Sequence, residues 1–315
     1  MKPFRRAATP AVAGELKDAR IIARGLEFPE GPVAMSDGSV ILGEIKGGAI
    51  TRIDPDGTVE RIASCIGGPS GLALGPDGAM YVCASGWSPD GNIGGRIDRL
   101  DLKTGTVDVL YDGFEGRRLS APNDIVFDQH GGFYFTDYGA VTPTNHERGA
   151  LYYASIDGSS MVKLRDAHFG PVGIGFPNGI GITPDGQNLL YVETFTARLF
   201  SSRIVAPGVL DAEQSVDDSF LFGANGVEWF DGLDVDAAGN VCVATLRSGC
   251  ITVVAHDGSA ASLVGLPEEV WEPLPTNLCF GGQDKSTVFV TLSASGTLLE
   301  APWPVIGAAR PASSA

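Results

Sequence analysis

The chain has 315 residues, of which 43 % are hydrophobic and 19 % are charged, and its formal net charge is −16. This length and apolar content suffice to bury one large core or two ordinary ones. The acidic balance argues against a nucleic-acid-binding protein, because neutralising phosphates requires a basic face. The sequence contains no apolar run of 18 residues and therefore predicts no membrane-spanning helix.

The beginning of the chain predicts an N-terminal extension over residues 1–18. Arg5-Arg6 resembles a twin-arginine pair, but no continuous apolar stretch follows it before Glu15. The five cysteines are odd in number and form no Cys-x-x-Cys pair, which predicts free thiols in place of a disulfide framework. These features together predict a cytoplasmic protein.

Six short cassettes follow along the chain, each consisting of a turn, an alternating strand, a Gly-containing turn and a second apolar strand. They are FPEGPVAM from Phe28, GPSGLALG from Gly68, APNDIVFD from Ala121, FPNGIGIT from Phe176, WFDGLDVD from Trp229 and LPTNLCFG from Leu274. Each cassette has the pattern of a β-hairpin. Because no linker-like break separates them, the sequence predicts one domain.

A second hairpin stands between most consecutive cassettes. The first is predicted from Ala49 to Ile62, with a turn at Pro55-Asp56-Gly57. Two hairpins make a four-stranded unit of roughly 40–55 residues, which is typical of a propeller blade. The sequence therefore predicts an all-β fold, a six-bladed β-propeller with four-stranded blades over residues 19–305, followed by a C-terminal tail at 306–315.

The last unit contains only three predicted strands, ending near Trp303. The segment from Ala19 to Leu26 stands directly before the first cassette, where a fourth strand belongs. We therefore expect strands from the two ends of the chain to close the ring within one blade, which removes free sheet edges.

The third position of each cassette carries an oxygen-bearing side chain. In chain order these residues are Glu30, Ser70, Asn123, Asn178, Asp231 and Thr276. Equivalent positions of a closed ring meet around its axis, so carboxylates and amides are predicted to converge at one mouth of the channel. Such oxygen donors favour Ca²⁺, with Mg²⁺, Mn²⁺ or Zn²⁺ as alternatives.

The ordered set of motifs resembles the senescence marker protein 30/gluconolactonase family of six-bladed propellers. The matching segments are FPEGP around Glu30, Ala121 to Asp137, Phe176 to Phe195, Asp231 to Ala244 and Thr276 to Gly282. The resemblance implies one divalent metal ion, held by Glu30, Asn123, Asn178 and Asp231, and the hydrolysis of a lactone. It further implies Asp231 as the catalytic base and Asn123 as a substrate contact.

The assignment of the base has alternatives among the other carboxylates. A carboxylate that binds a dication loses basicity, so the roles of metal ligand and base conflict with each other in Asp231. Glu30, Asp137 or Glu193 could share the role, and the latter two could equally support the ligands.

Substrate contacts are less closely specified. Where sugar lactonases of this family carry an Arg, two residues before Asn123, this chain has Ala121, so a sugar lactone and a less polar lactone or ester both remain open. His146, His168, Phe195 and Trp229 are the further predicted substrate contacts. The partner is thus predicted to be a small molecule.

Three other functions fit the same pattern. Phosphotriester hydrolysis would retain the metal ion and change the reaction. Condensation of an amine with an aldehyde occurs in related propellers without a metal. The four oxygen-donor residues of the predicted metal site argue against this reaction. A propeller that binds a protein or a small molecule without catalysing a reaction would have no need of four metal-binding residues at matched positions.

Overall fold

The computed structural model describes residues 11–141, 146–166, 176–224 and 226–309. Within them the sheets are arranged as a six-bladed β-propeller, which confirms the predicted fold class. His168 lies outside the described residues. His146 begins a described strand, but its side chain is likewise outside the described part of the chain.

The first half of the described chain forms two leading strands and three blades. The leading strands are β1 (Ala11–Glu15) and β2 (Arg20–Arg24). Blade 1 comprises β3 (Pro29–Ala34), β4 (Val40–Glu44), β5 (Ala49–Ile53) and β6 (Val59–Ser64). Blade 2 comprises β7 (Pro69–Leu74), β8 (Met80–Ala84), β9 (Arg96–Leu100) and β10 (Val107–Tyr111), and is followed by the small hairpin β11 (Gly113–Phe114) and β12 (Arg117–Arg118). Blade 3 comprises β13 (Pro122–Phe127), β14 (Gly132–Val141), β15 (His146–Ser155) and β16 (Met161–Asp166).

The second half forms the other three blades. Blade 4 comprises β17 (Pro177–Ile182), β18 (Asn188–Glu193) and β19 (Arg198–Ala206), then β20 (Val209–Leu210), the short helix α1 (Val216–Ser219) and β21 (Phe220–Gly223). Blade 5 comprises β22 (Trp229–Val235), β23 (Val241–Leu246), β24 (Cys250–Val254) and β25 (Ala261–Gly265), followed by a 3₁₀ helix (Glu268–Val270). Blade 6 comprises β26 (Pro275–Gly281), β27 (Thr287–Leu292) and β28 (Thr297–Pro302).

The ring closes in blade 6 as predicted. Strand β2 pairs antiparallel with β28, with Ile21 opposite Leu299. This pairing completes a four-stranded sheet from the two ends of the chain and leaves no gap in the ring.

Both predicted terminal segments contain ordered contacts that the sequence analysis does not anticipate. Strand β1, within the extension of residues 1–18, adds a fifth strand to blade 5 and runs parallel to β25. At the other end, the backbone N–H of Ala308 donates to the carbonyl of Val235 at 2.9 Å. Strand β1 therefore covers the outer strand of blade 5, whereas the C-terminal segment binds its innermost strand β22.

The core lies between neighbouring blades, because each sheet presents apolar side chains on both faces. Between blades 2 and 3, Tyr81 packs edge-on against Phe127 with ring centroids 5.0 Å apart, and Phe133 completes this group. All five cysteines are buried and free, as predicted. Among the described residues, no helix has the length and apolar content needed to cross a membrane.

Candidate functional site at the channel mouth

The innermost strand of every blade changes register at its start, where the six oxygen-bearing residues lie. The shifts fall between Glu30 and Val33, Pro69 and Leu72, Pro122 and Ile125, Pro177 and Ile180, Phe230 and Leu233, and Pro275 and Asn277. A bulge of this kind bends the strand and re-aims its side chains. Repeated around the ring, it places one polar residue at the start of each innermost strand.

In four of the six blades the residue after this position is glycine, which lets neighbouring inner strands approach one another. A Cβ on Gly31 would lie 2.3 Å from the carbonyl oxygen of Ser70, and one on Gly179 would lie 2.6 Å from that of Asp231. Only the absent side chain of glycine permits such contacts. The close approach brings the candidate ligands of adjacent blades together.

Glu30 and Asp231 are the two buried carboxylates of the site, with relative exposures of 5 % and 8 %. Burial raises the pKa of Glu30 to about 7, and the charge of Asp124 adds to the rise. Burial also raises the pKa of Asp231 well above its usual range, with the charge of Glu30 as the next cause. The two groups therefore lie close enough to repel each other, and a cation between them would remove the penalty.

Asn178 supplies an amide that faces this pair. Its Nδ2 donates a hydrogen bond to Thr194 Oγ1 at 3.0 Å, and its amide also favours the charged form of Asp231. Its Oδ1 is buried and accepts no hydrogen bond within the described chain. A buried acceptor without a donor is costly in a protein alone and is what a metal ligand requires.

Asn123 occupies the equivalent position of β13, where its side chain is half-buried. Ser70 and Thr276 occupy the corresponding places in β7 and β26 and are both buried. The Thr276 hydroxyl donates to the carbonyl of Pro29 in β3 at 3.2 Å, so this position joins blades 6 and 1.

Asp124 is a buried carboxylate that the sequence analysis misses. Its two oxygens accept the backbone N–H groups of Ile125 at 2.9 Å and Ile180 at 3.2 Å. Its charge raises the pKa of both Glu30 and Asp231. The signal was present in the repeat, since four cassettes have Gly at this position and only the third has a carboxylate.

The donors at this mouth fit a divalent cation. In residues 11–141, 146–166, 176–224 and 226–309, no three His, Cys, Asp or Glu side chains group as a metal site. A cation held here would therefore depend on amide oxygens beside the carboxylates of Glu30 and Asp231. The unpartnered Oδ1 of Asn178 is such an oxygen, and hard oxygen donors suit Ca²⁺ or Mg²⁺.

Acidic residues at the ends of the second strands support the loops around the mouth. Asp137 accepts the N–H groups of Ser120 and Ala121, each at 2.8 Å, and Glu44 accepts that of Glu27 at 2.6 Å. Because its oxygens accept backbone N–H groups, Asp137 fits the prediction that it supports the metal ligands better than the prediction that it acts as the base.

Glu193 differs from these two residues. Its Oε2 accepts the Thr196 hydroxyl at 2.5 Å, whereas its Oε1 is buried without a hydrogen-bond partner in the part of the chain described. Burial raises the pKa of Glu193 to about 7. It does not appear among the groups that shift the pKa of Glu30 or Asp231.

The predicted substrate contacts Phe195 and Trp229 lie next to each other at the mouth. Their ring centroids are 4.9 Å apart with an interplanar angle of 83°. Arg118, three residues before Ala121 in the chain, is exposed and donates from Nη1 to the carbonyl of Ile93 at 2.9 Å. Because the loop backbone holds its guanidinium, Arg118 does not replace the arginine that sugar lactonases of the family carry at the position of Ala121.

Residues 28–294 match the model of the SMP-30/gluconolactonase/LRE-like region. The chain belongs to this family. Among its relatives, the gluconolactonase of Zymomonas mobilis is 27 % identical, covering 87 % of this chain and 78 % of its own. The diisopropyl-fluorophosphatase of Loligo vulgaris is 26 % identical, covering 77 % of this chain and 91 % of its own.

A solved structure of the SMP-30/gluconolactonase/LRE-like fold has the same architecture. Regucalcin of Agrobacterium tumefaciens, described as a calcium-binding protein, superposes with a TM-score of 0.71 and 20 % identity. The superposition covers 98 % of this chain and 100 % of the other. The likeness establishes the propeller fold throughout the described chain.

Proposed function

We propose that this protein is a divalent-metal-dependent hydrolase that opens a lactone at the channel mouth. The observation that carries the proposal is the pairing of two buried carboxylates, Glu30 and Asp231, with the unpartnered Oδ1 of Asn178. Family membership and a relative named gluconolactonase supply the reaction class.

Glu30, Asn123, Asn178 and Asp231 are the residues that would hold the cation. Once bound, the cation supplies Lewis-acid polarisation of the substrate carbonyl. Thr194 fixes the amide of Asn178 through Nδ2 and so presents Oδ1 to the site. Ca²⁺ is the first choice, because the set contains only oxygen donors.

Asp231 takes the proton from the attacking water. The water oxygen forms a bond to the carbonyl carbon, and the ring C–O bond breaks. Asp231 returns the proton it took from the water to the released alkoxide, which gives a hydroxy acid and regenerates the carboxylate. The new acid then releases a proton to solvent. Asp137 is held by the backbone N–H groups of Ser120 and Ala121, which favours Asp231 over it as the base.

The experiment is proton release from a panel of lactones, measured with an indicator dye. Protein stripped of metal is compared with the same protein resupplied with Ca²⁺, Mg²⁺, Mn²⁺ or Zn²⁺. We expect metal to restore acid release. Equal rates with and without metal would overturn the metal dependence, and no release from a preparation shown to bind metal would overturn the lactonase.

A second candidate is hydrolysis of an organophosphorus ester at the same site. It is favoured by the similarity to the Loligo vulgaris diisopropyl-fluorophosphatase over most of both chains. Fluoride release from diisopropyl fluorophosphate tests it with the same metal-loaded protein. A kcat/KM for this compound above that for every lactone would make it the leading reaction.

A further inference from the structure

Four aromatic side chains form a continuous series beside the candidate metal site, which we call the aromatic wall: Tyr138, Phe176, Phe195 and Trp229. Phe176 lies 4.9 Å from both Tyr138 and Phe195 between ring centroids. Phe195 lies 4.9 Å from Trp229. These residues come from blades 3, 4 and 5, so only the closed ring assembles them.

The inner end of the aromatic wall reaches the site itself. The charge of Asp231 contributes to the raised pKa of Tyr138, which places the phenol near that carboxylate. The Thr194 hydroxyl that binds Asn178 is also a neighbour of the Tyr138 phenol. A substrate whose carbonyl lies at Asp231 would therefore have its remaining atoms against the aromatic wall.

The outer end of the aromatic wall opens to solvent. Phe195 is 43 % exposed although it is a large apolar side chain. The guanidinium of Arg247 lies 5.0 Å from the Trp229 ring centroid, which holds the indole by a cation–π contact. The wall thus extends from the carboxylate to the surface as one aromatic face.

Further apolar side chains stand in the loops at this mouth. Ile66, between β6 and β7, is 70 % exposed, and Val227, just before β22, is 66 % exposed. Each of these two side chains precedes an innermost strand and adds exposed apolar surface beside the start of that strand. A sugar ring would need several hydrogen-bonding partners for its hydroxyls, and of the four wall residues only Tyr138 and Trp229 carry a hydrogen-bonding group.

We propose that the aromatic wall binds an aromatic or alkyl substituent of the substrate, so that the lactone is an apolar one and not a polyhydroxylated sugar lactone. This inference rests on the proposed function, because the wall is placed relative to a carbonyl at Asp231. The rings of the substituent would pack edge-to-face against Phe195 and Trp229, in the geometry that these two residues already adopt with each other.

The first test compares kcat/KM for dihydrocoumarin, δ-valerolactone and glucono-δ-lactone in the metal-loaded protein. We expect dihydrocoumarin to be preferred to glucono-δ-lactone by about tenfold or more. Phe195→Ala should lower kcat/KM for dihydrocoumarin about tenfold more than for δ-valerolactone, whereas Phe195→Trp should restore it. Val162→Ala, on the outer strand β16 at 47 % exposure, is the control for loss of an exposed apolar group.

A second test measures binding without turnover. Isothermal titration calorimetry measures the affinity of the protein for two lactams. One is 3,4-dihydro-2(1H)-quinolinone, which resembles dihydrocoumarin, and the other is the smaller δ-valerolactam. We expect the bicyclic lactam to bind more tightly, and Phe195→Ala to abolish most of this difference. Equal affinities in the wild-type protein would overturn the inference.

The two tests separate failure of this inference from failure of the proposed function. Metal-dependent turnover with glucono-δ-lactone preferred would overturn the apolar class and leave the lactonase standing. Preferential lactam binding with no turnover of any lactone would support the aromatic wall as a binding site and overturn the reaction.

Discussion

Asn178 Nδ2 donates to Thr194 Oγ1 at 3.0 Å, and this bond fixes which atom of the amide faces the site. The opposite atom, Oδ1, is buried and has no hydrogen-bond partner among the described residues. Thr194, directly after β18, therefore orients the candidate metal ligand Asn178 near the start of β17. The hydrogen bond from Asn178 to Thr194 thus leaves Oδ1 of Asn178 oriented as an oxygen donor.

Removal of that hydroxyl should loosen the ligand. We expect Thr194→Val to weaken Ca²⁺ binding by about 10–100-fold, because the amide loses the bond that orients it. The free energy of unfolding of the metal-free protein should fall by only about 1 kcal/mol. Isothermal titration with Ca²⁺ and urea unfolding measure the two effects. Thr106→Val, at an exposed turn of blade 2, should change neither, and unaltered Ca²⁺ affinity in Thr194→Val would contradict the orienting role.

Replacement of Asp231 should separate stability from function. Asp231→Asn removes a buried charge that lies against Glu30, so the metal-free protein should be no less stable than the wild type at pH 8. In the wild type, Ca²⁺ at 100 times Kd should add about 2.7 kcal/mol of stability, and the variant should lose this gain together with turnover. Thermal unfolding with and without EDTA measures the gain. Asp108→Asn, exposed on β10, is the control, and full turnover in Asp231→Asn would show that another group acts as the base.

Glu193 should make stability depend on pH. Its folded pKa is about 7 against an ordinary value of 4.5, so the folded state holds a proton that the unfolded state has released between these values. Stability contributed by this group is therefore present below about pH 4.5 and is lost as the pH rises through about 7, by an amount on the order of 3 kcal/mol.

Glu193→Gln supplies the neutral form at every pH. We expect this variant to be more stable than the wild type at pH 8 and close to it at pH 4.5, in urea unfolding with EDTA present. Glu60→Gln, exposed on β6, should follow the wild type. The same pH dependence in Glu193→Gln and the wild type would show that another group carries it.

Close approach of the inner strands should be sensitive to a single methyl group. A Cβ at Gly179 would lie 2.6 Å from the Asp231 carbonyl oxygen and 2.7 Å from the Leu233 nitrogen, both backbone atoms. Gly179→Ala should therefore cost about 1–3 kcal/mol of unfolding free energy and lower Ca²⁺ affinity by moving β22. Gly265→Ala, whose Cβ would meet nothing closer than 3.7 Å, should change stability by less than about 0.5 kcal/mol. Equal effects of the two substitutions would contradict the close-approach argument.

The blade architecture was predictable because it depends on local patterns. Alternating apolar residues and Gly-containing turns specify hairpins within a few tens of residues, and β5 has the predicted bounds of Ala49 to Ile53. Closure by β2 and β28 was predictable because one unit lacked a strand and the other end of the chain offered one. The parallel pairing of β1 with β25 was not predictable, because it joins segments about 250 residues apart and no local turn motif indicates it.

The sequence by itself determined the six-fold repeat, the strands and the positions of Glu30, Asn178 and Asp231 at equivalent places in the ring. Only the tertiary structure decided what those positions do, because their burial, mutual repulsion and hydrogen bonds arise between blades. The charge of Asp124 raises the pKa of two carboxylates from other blades, and Tyr138 packs against Phe176 and Phe195 across a blade boundary. A local pattern cannot encode such contacts, since closure of the ring brings distant side chains to one mouth.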